Sequence, residues 1–402
     1  MGTSTFATLG LGALAPYLRA SLHLSTFEVG ALPALVFLGA LVVSVRAGRL
    51  TDRIGAGRAL VGGQLGVALG IGVATLAPGR TLFLIGVGIA GLGYGAVNPA
   101  TNVLSTSLVP RRRRGLFLSV KQTGVTLGGL IAGIALPRLA DAIGWREALL
   151  VPIGMLLVSA LVAVWVARRE TIGWFDLPAQ ASAGTIVHLR VPGLKVTAVF
   201  GFVSSGIQLS VAAYLTVFLV DTHHFSRPNA GLALSVAFGA GCVGRVAWGS
   251  ISDRFFASHA TTLVISSGGS LVGLAMISAG VHGVLLWLVI ALVGFCSIGW
   301  NGVYMALLTD RAGDVKLGQA TGRGLMFLYG GVVVLPPLLG ALHDTVRSWS
   351  TVWAVACGAV LAAMTMLALG PRVSVSVRSG EGAVPLGPAV ADVARGATSP
   401  TG

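Results

Sequence analysis

Acidic residues are scarce in this sequence: there are 13 Asp and Glu against 27 Lys and Arg, and only 10% of the 402 residues are charged. A soluble domain carries about 25% charged residues and needs them to cover its surface. A chain that is 54% hydrophobic, with a mean hydropathy of +0.87, lacks that cover, so its solvent is expected to be lipid. Cysteines are few as well. Cys242, Cys296 and Cys357 all fall inside apolar runs with no metal-like spacing and read as small buried residues. The seven histidines lie at span ends or in loops without paired spacing, so no structural metal and no cofactor are expected. No nucleophile or acid–base constellation stands out, which argues against an enzyme. The first 18 residues lack a basic stretch ahead of their apolar run, so no cleavable signal peptide is expected.

Long apolar runs are abundant. Segments near 1–18, 27–47, 59–77, 81–104, 116–138, 147–167, 194–218, 230–248, 260–279, 284–306, 318–341 and 350–370 each read as a membrane span bounded by charge or turn residues. The expected fold is therefore all-α: a polytopic membrane protein of twelve transmembrane helices. The 58 glycines suit helices that pack backbone to backbone. A six-helix bundle over 1–167, a linker over 168–193, a second bundle over 194–370 and a disordered tail over 371–402 make up the expected organisation. The first span, at most 18 residues long and with no basic residue at its leading end, fits either a short helix or a chain that starts within it.

The net charge of +14 does not point to nucleic acid, because its basic residues sit between hydrophobic spans. Alternate loops divide them unevenly. Eighteen fall on the side of both chain ends, including Arg49, Arg58, Arg111 to Arg114 and Lys316; six fall on the other, Arg19, Arg80, Arg138, Arg146, Arg227 and Arg347. The bias of Lys and Arg toward the cytoplasm then places both termini there, in a multi-pass protein of the inner (plasma) membrane.

The two halves repeat. Gly48-Arg-Leu-Thr-Asp52-Arg53 after the second span is matched by Gly249-Ser-Ile-Ser-Asp253-Arg254 after the eighth. Gly91 precedes Asn98 by seven residues, as Gly294 precedes Asn301; Lys121 precedes Gly128-Gly129 by seven, as Arg323 precedes Gly330-Gly331. The offsets of 201, 203 and 202 residues keep one register. Because six spans separate the copies, the halves share one orientation, related by an axis along the membrane normal with a substrate site near the midplane between them.

The segment Gly48 to Arg58, with Asp52, Arg53 and Gly55, resembles the loop signature between helices 2 and 3 of the major facilitator superfamily, and Gly249, Asp253 and Arg254 resemble its weaker copy. The resemblance covers essentially the whole chain and implies a secondary transporter that moves a small molecule by alternating access, with no domain for signalling alone. In that reading Gly48 allows close helix approach, and Asp52 with its neighbouring arginines latches one face of the protein. Arg245-Val-Ala-Trp-Gly249-Ser-Ile-Ser-Asp253 resembles helix 8 of oxalate and monocarboxylate transporters, whose arginine contacts the substrate carboxylate; the second cation of the oxalate members corresponds to Arg323. The glycine-rich span Lys121 to Pro137 loosely resembles helix 5 of drug and proton antiporters but lacks their Gly-Pro step, which argues against export, and it reads rather as a packing seam of small residues.

The chemistry lies in an imbalance. All 13 acids sit in loops, in the tail or within the first residues of a span, whereas Lys121, Arg245 and Arg323 lie inside spans. A cation within a bilayer costs about 2.5 to 3.5 kcal/mol, and relief has to come from water, carbonyls, snorkelling or an anionic ligand. This pattern favours an anionic substrate over a cationic drug, moved by symport with protons as the coupling ion, by anion exchange or by uniport. Asn98, Gln208, Asn301 and Tyr304 lie on the helices that line the cavity in the superfamily and are the candidate hydrogen-bonding partners of the substrate. A metabolite or drug exporter of the same superfamily is the alternative, a transporter-like sensor a remote one, and a monomer is expected.

Overall fold

In lipid every backbone N–H and C=O has to be satisfied within its own segment, and the helix does this. The computed structural model describes residues 1–107, 114–169, 193–256, 258–312 and 317–370, with the side chains of 44–53, 105–120, 167, 169 and 312–323 outside that description. All regular structure among the described residues is helical. The first half holds α1 (Gly2–Ala13), α2 (Ala15–Leu22), α3 (Thr26–Ile54), α4 (Ala56–Leu76), α5 (Arg80–Ser107), α6 (Arg114–Ile143), α7 (Trp145–Ala148) and α8 (Leu150–Arg169). The second holds α9 (Leu194–His223), α10 (Arg227–Phe255), α11 (His259–Ser278), α12 (Gly283–Gly299), α13 (Asn301–Ala312), α14 (Leu317–Val346) and α15 (Trp349–Leu369). Most of the expected linker and all of the expected tail lie outside the described residues.

Among the described residues, eleven segments are long and apolar enough to cross a membrane. The remaining expected span, the first, is present as α1 and α2, divided at Leu14 and reaching Leu22 rather than residue 18. Its break has a cause. Pro16 has no N–H to give the carbonyl of Gly12 four residues back, and Thr216 Oγ1 of α9 donates to that carbonyl instead, at 2.8 Å. The tenth span is likewise two helices, meeting at Trp300.

Two helices run well past their expected ends. The segment 48–54 is the last part of α3 and 249–255 the last part of α10, not loop. Charged residues end a hydropathy run, but an α-helix continues readily into water until something stops it. Gly55 stops α3 with φ 84°, a backbone angle that favours glycine.

Large apolar side chains point outward along the spans: Leu69, Leu161 and Leu288 are each more than 60% exposed. In water such surfaces would aggregate; here they face lipid. Inward contacts depend on small residues. A Cβ on Gly91 would lie 2.5 Å from the carbonyl oxygen of Val36, and one on its repeat partner Gly294 would lie 2.1 Å from that of Ala237. The two close approaches, α5 on α3 and α12 on α10, are the same contact in each half.

The halves meet along two seams, α3 against α14 and α6 against α10. These join the second span to the eleventh and the fifth to the eighth, so the repeat exchanges one seam for the other. The glycines of α6 serve packing: Gly128 abuts Gly2 and Thr5 of α1, and Gly133 abuts Gly231 and Ser235 of α10.

Candidate functional site

Lys121 sits two turns inside α6 and faces α5. Its Nζ donates to Asn98 Oδ1 at 2.9 Å and to Asn102 Oδ1. An ammonium has three N–H donors and no acceptor, so two are taken by amide oxygens. The same logic orients Asn98: its oxygen faces Lys121, which leaves its Nδ2 to donate to Tyr329 Oη of α14 at 3.4 Å. One chain of polar contacts therefore crosses from the first half to the second.

Arg245 lies ten residues before the end of α10, about 15 Å along the axis, deeper than the expected span end at residue 248 implies. Its Nη1 donates to the carbonyl of Gln122, next to Lys121, at 3.0 Å. Its Nε is buried with no partner. Among the described residues neither Lys121 nor Arg245 is paired with a carboxylate. The α6–α10 seam thus carries two cations with no carboxylate partner among the described residues, Lys121 turned to the amides of α5 and Arg245 to the Gln122 carbonyl.

Aromatic rings stand beside them. The Phe37 ring of α3 lies 5.8 Å from that of Tyr94 and 5.2 Å, edge to face, from that of Tyr329. Phe37, Lys121, Asn98, Arg245 and Tyr329 are all partly exposed although they sit between the halves. Aromatic rings and cationic donors thus stand in one region between the halves. Sequence reasoning missed Phe37, because a phenylalanine in a span reads as any apolar residue.

The other candidates divide differently. Gln208 of α9 accepts from Trp300 Nε1 and Asn301 Nδ2, each at 3.0 Å, a self-contained node in the second half. Tyr304 packs 5.2 Å from the Trp300 ring with its hydroxyl buried and unpartnered. The cavity beside Trp300, lined by serines of α9, α11 and α12, measures about 20 Å³, room for one water and not for a substrate. The side chain of Arg323 lies outside the described residues.

The motif residues are described in part. Gly48, Asp52 and Arg53 lie in the last turns of α3, with their side chains outside the described residues. Arg58 Nη1 donates to the carbonyl of Ile54 at 3.3 Å. Gly249, the counterpart of Gly48, has open space where a Cβ would sit, so close helix approach does not account for it. Asp253 and Arg254 are exposed, and Asp253 lies 4.0 Å from His259, which also contacts Asp310 at 2.6 Å.

The chain as a whole is similar to known transporters. The gentisate transporter of Corynebacterium glutamicum is 25% identical over 343 residues, covering 80% of this chain and 74% of that protein. The transporter YycB of Bacillus subtilis is 27% identical over 356 residues, covering 86% and 84%. Among solved structures, the nucleoside transporter NupG superposes with a TM-score of 0.75 at 13% identity, covering 91% of this chain and 97% of that one. A bacterial homologue of the human lysosomal transporter Spinster gives 0.70 at 13% identity, covering 91% and 92%. The model of the Major Facilitator Superfamily matches residues 1–323, and with the helical repeat, the two seams and the transporter relatives, the chain belongs to that superfamily of membrane transporters.

Proposed function

We propose that this transporter moves a small organic anion, a carboxylate carrying an aromatic ring, between the two faces of the inner membrane. The carrying observation is that Lys121 and Arg245 both lie on the α6–α10 seam without an acid among the described residues, and that Asn98 links Lys121 to Tyr329, whose ring packs with that of Phe37. Lys121 has a donor to spare, and Arg245 Nε lacks any partner; a carboxylate supplies what both lack. The rings give an aromatic substrate a face or an edge to pack on. Gentisate, for which one relative is named, is such a molecule.

In this reading Asn98 holds Lys121 in place and carries the substrate's presence to Tyr329 on the other half. Gln208, Asn301 and Tyr304 shape the second-half wall, and Arg323 adds a cation from α14. The arrangement serves alternating access by rocking one bundle against the other, with both termini cytoplasmic, Asp52 and its arginines closing the cytoplasmic face, and the proton as coupling ion. The glycines of α6 pack on α1 and α10, as a seam of small residues does.

The test is flux into proteoliposomes holding the purified protein, over benzoate-type acids, aliphatic carboxylates and cationic dyes. Saturable uptake of the acids, weakened by Arg245→Gln, is the expected result. A verified cationic substrate overturns the reading.

A further inference from the structure

The sequence assigns a latch only to the face that carries the chain ends. At the opposite face the structure joins the halves around the start of α3. Ser25 and Glu28 form a capping box there: Ser25 Oγ accepts from Glu28 N at 3.1 Å, and Glu28 Oε2 accepts from Ser25 N at 2.8 Å. Any helix leaves its first N–H groups without partners. Here the N–H groups of Thr26 and Phe27 donate to Asp344, to Oδ1 at 3.0 Å and to Oδ2 at 2.8 Å. Asp344 belongs to the last turn of α14, in the other half of the protein, 318 residues away. A carboxylate from one bundle thus caps a helix of the other, where the helix dipole favours a negative charge.

Three further contacts at this face join the halves. His343 Nδ1 lies 3.0 Å from Thr26 Oγ1. Tyr214 of α9 donates to the carbonyl of Thr26, at 3.3 Å, and to that of Pro336, in space that Gly30 leaves open. Arg19 and Asp221 form a half-exposed ion pair at 2.5 Å.

We propose that Asp344 is a gating residue for transport: its cap on α3 holds the face opposite the chain ends closed, and transport requires that cap to break and re-form in each cycle. The chemistry suits a reversible contact. The first N–H groups of α3 are the ones that water satisfies at an ordinary helix start, so parting the halves strands no buried donor. The seams deeper in the bundle lack this property. The Arg19–Asp221 pair is more exposed and contributes less. Reading the cap as a gate rests on alternating access in this superfamily and not on the identity of the substrate.

The experiment reads the closed face directly. Ala34 lies on the strip of α3 defined by Thr26 and Gly30, at i+4 steps, and is 6% exposed. In a full-length protein with Cys242, Cys296 and Cys357 replaced, Ala34→Cys is probed on intact cells with an impermeant maleimide, with Arg227→Cys as the control for an outside position. The labelling rate should rise about tenfold in Asp344→Asn, which is about 1.4 kcal/mol in the closing equilibrium. Thr26→Pro removes one of the capped N–H groups at a helix position that accepts proline, leaves the carboxylate intact, and should raise the rate in the same direction. Arg19→Gln should change it about twofold or less. Unchanged labelling in both Asp344→Asn and Thr26→Pro overturns the gate. Loss of folded protein in both overturns it too, since the cap would then be a requirement of the fold. A change in labelling with no transport of any carboxylate upholds the gate and sinks the anion reading alone.

Discussion

Replacing Lys121 by Gln separates an anion site from a buried structural cation. The ammonium donates to Asn98 and Asn102, and a Gln amide carries two N–H donors that can serve the same two oxygens. The Asn98–Tyr329 contact across the halves then survives, and removing a charge from between the bundles relieves part of its desolvation cost. The folded protein should therefore keep its stability or gain slightly. The substrate loses more. A hydrogen bond to a charged group contributes about 1.5 to 3 kcal/mol, so the half-saturating concentration of an anionic substrate should rise about ten- to a hundredfold. Lys121→Arg should keep part of the affinity, since the charge remains while the point-like ammonium geometry is lost. The assay is initial-rate uptake at matched protein level, with thermal unfolding in detergent alongside. Unchanged half-saturation in Lys121→Gln, with transport intact, refutes the reasoning. So does a fall in melting temperature that accounts for the whole loss of uptake.

Phe37→Leu should weaken aromatic carboxylates about two- to tenfold, the worth of one aromatic pair, and leave aliphatic carboxylates nearly unchanged, as competition uptake would show. Gly294→Ala should lower the yield and thermal stability of folded protein markedly, because the new Cβ would meet the Ala237 carbonyl oxygen at 2.1 Å, whereas Gly249→Ala, with open space around it, should be close to neutral. Cysteines placed at Arg112 and Lys316 should be shielded from an impermeant thiol reagent in intact cells and one at Arg227 labelled; labelling at Arg112 overturns the proposed orientation.

Lys121 and Arg245 stood out in the sequence because a charge inside an apolar run needs an explanation, and the structure sets them on neighbouring helices at one seam. Asn98 joined them, but Gln208 and Asn301 bonded each other and Trp300 instead. Nothing local distinguishes an amide that meets a substrate from one that ties two helices. The partner that Thr26 and Phe27 find in Asp344 was not legible, since Asp344 looks like any acid at a span end.

The sequence by itself determined the class of the molecule. Hydropathy runs fix the spans because lipid admits only segments that satisfy their own backbone, and the register of Gly91 with Gly294 and Lys121 with Arg323 fixes the repeat. Only the tertiary structure decided where helices break, which rings stand beside the cations, and that Asp344 holds α3. Those outcomes depend on contacts between residues a hundred to three hundred positions apart. Hydropathy and helical period are local properties, and they carry no record of which distant helix a side chain will meet.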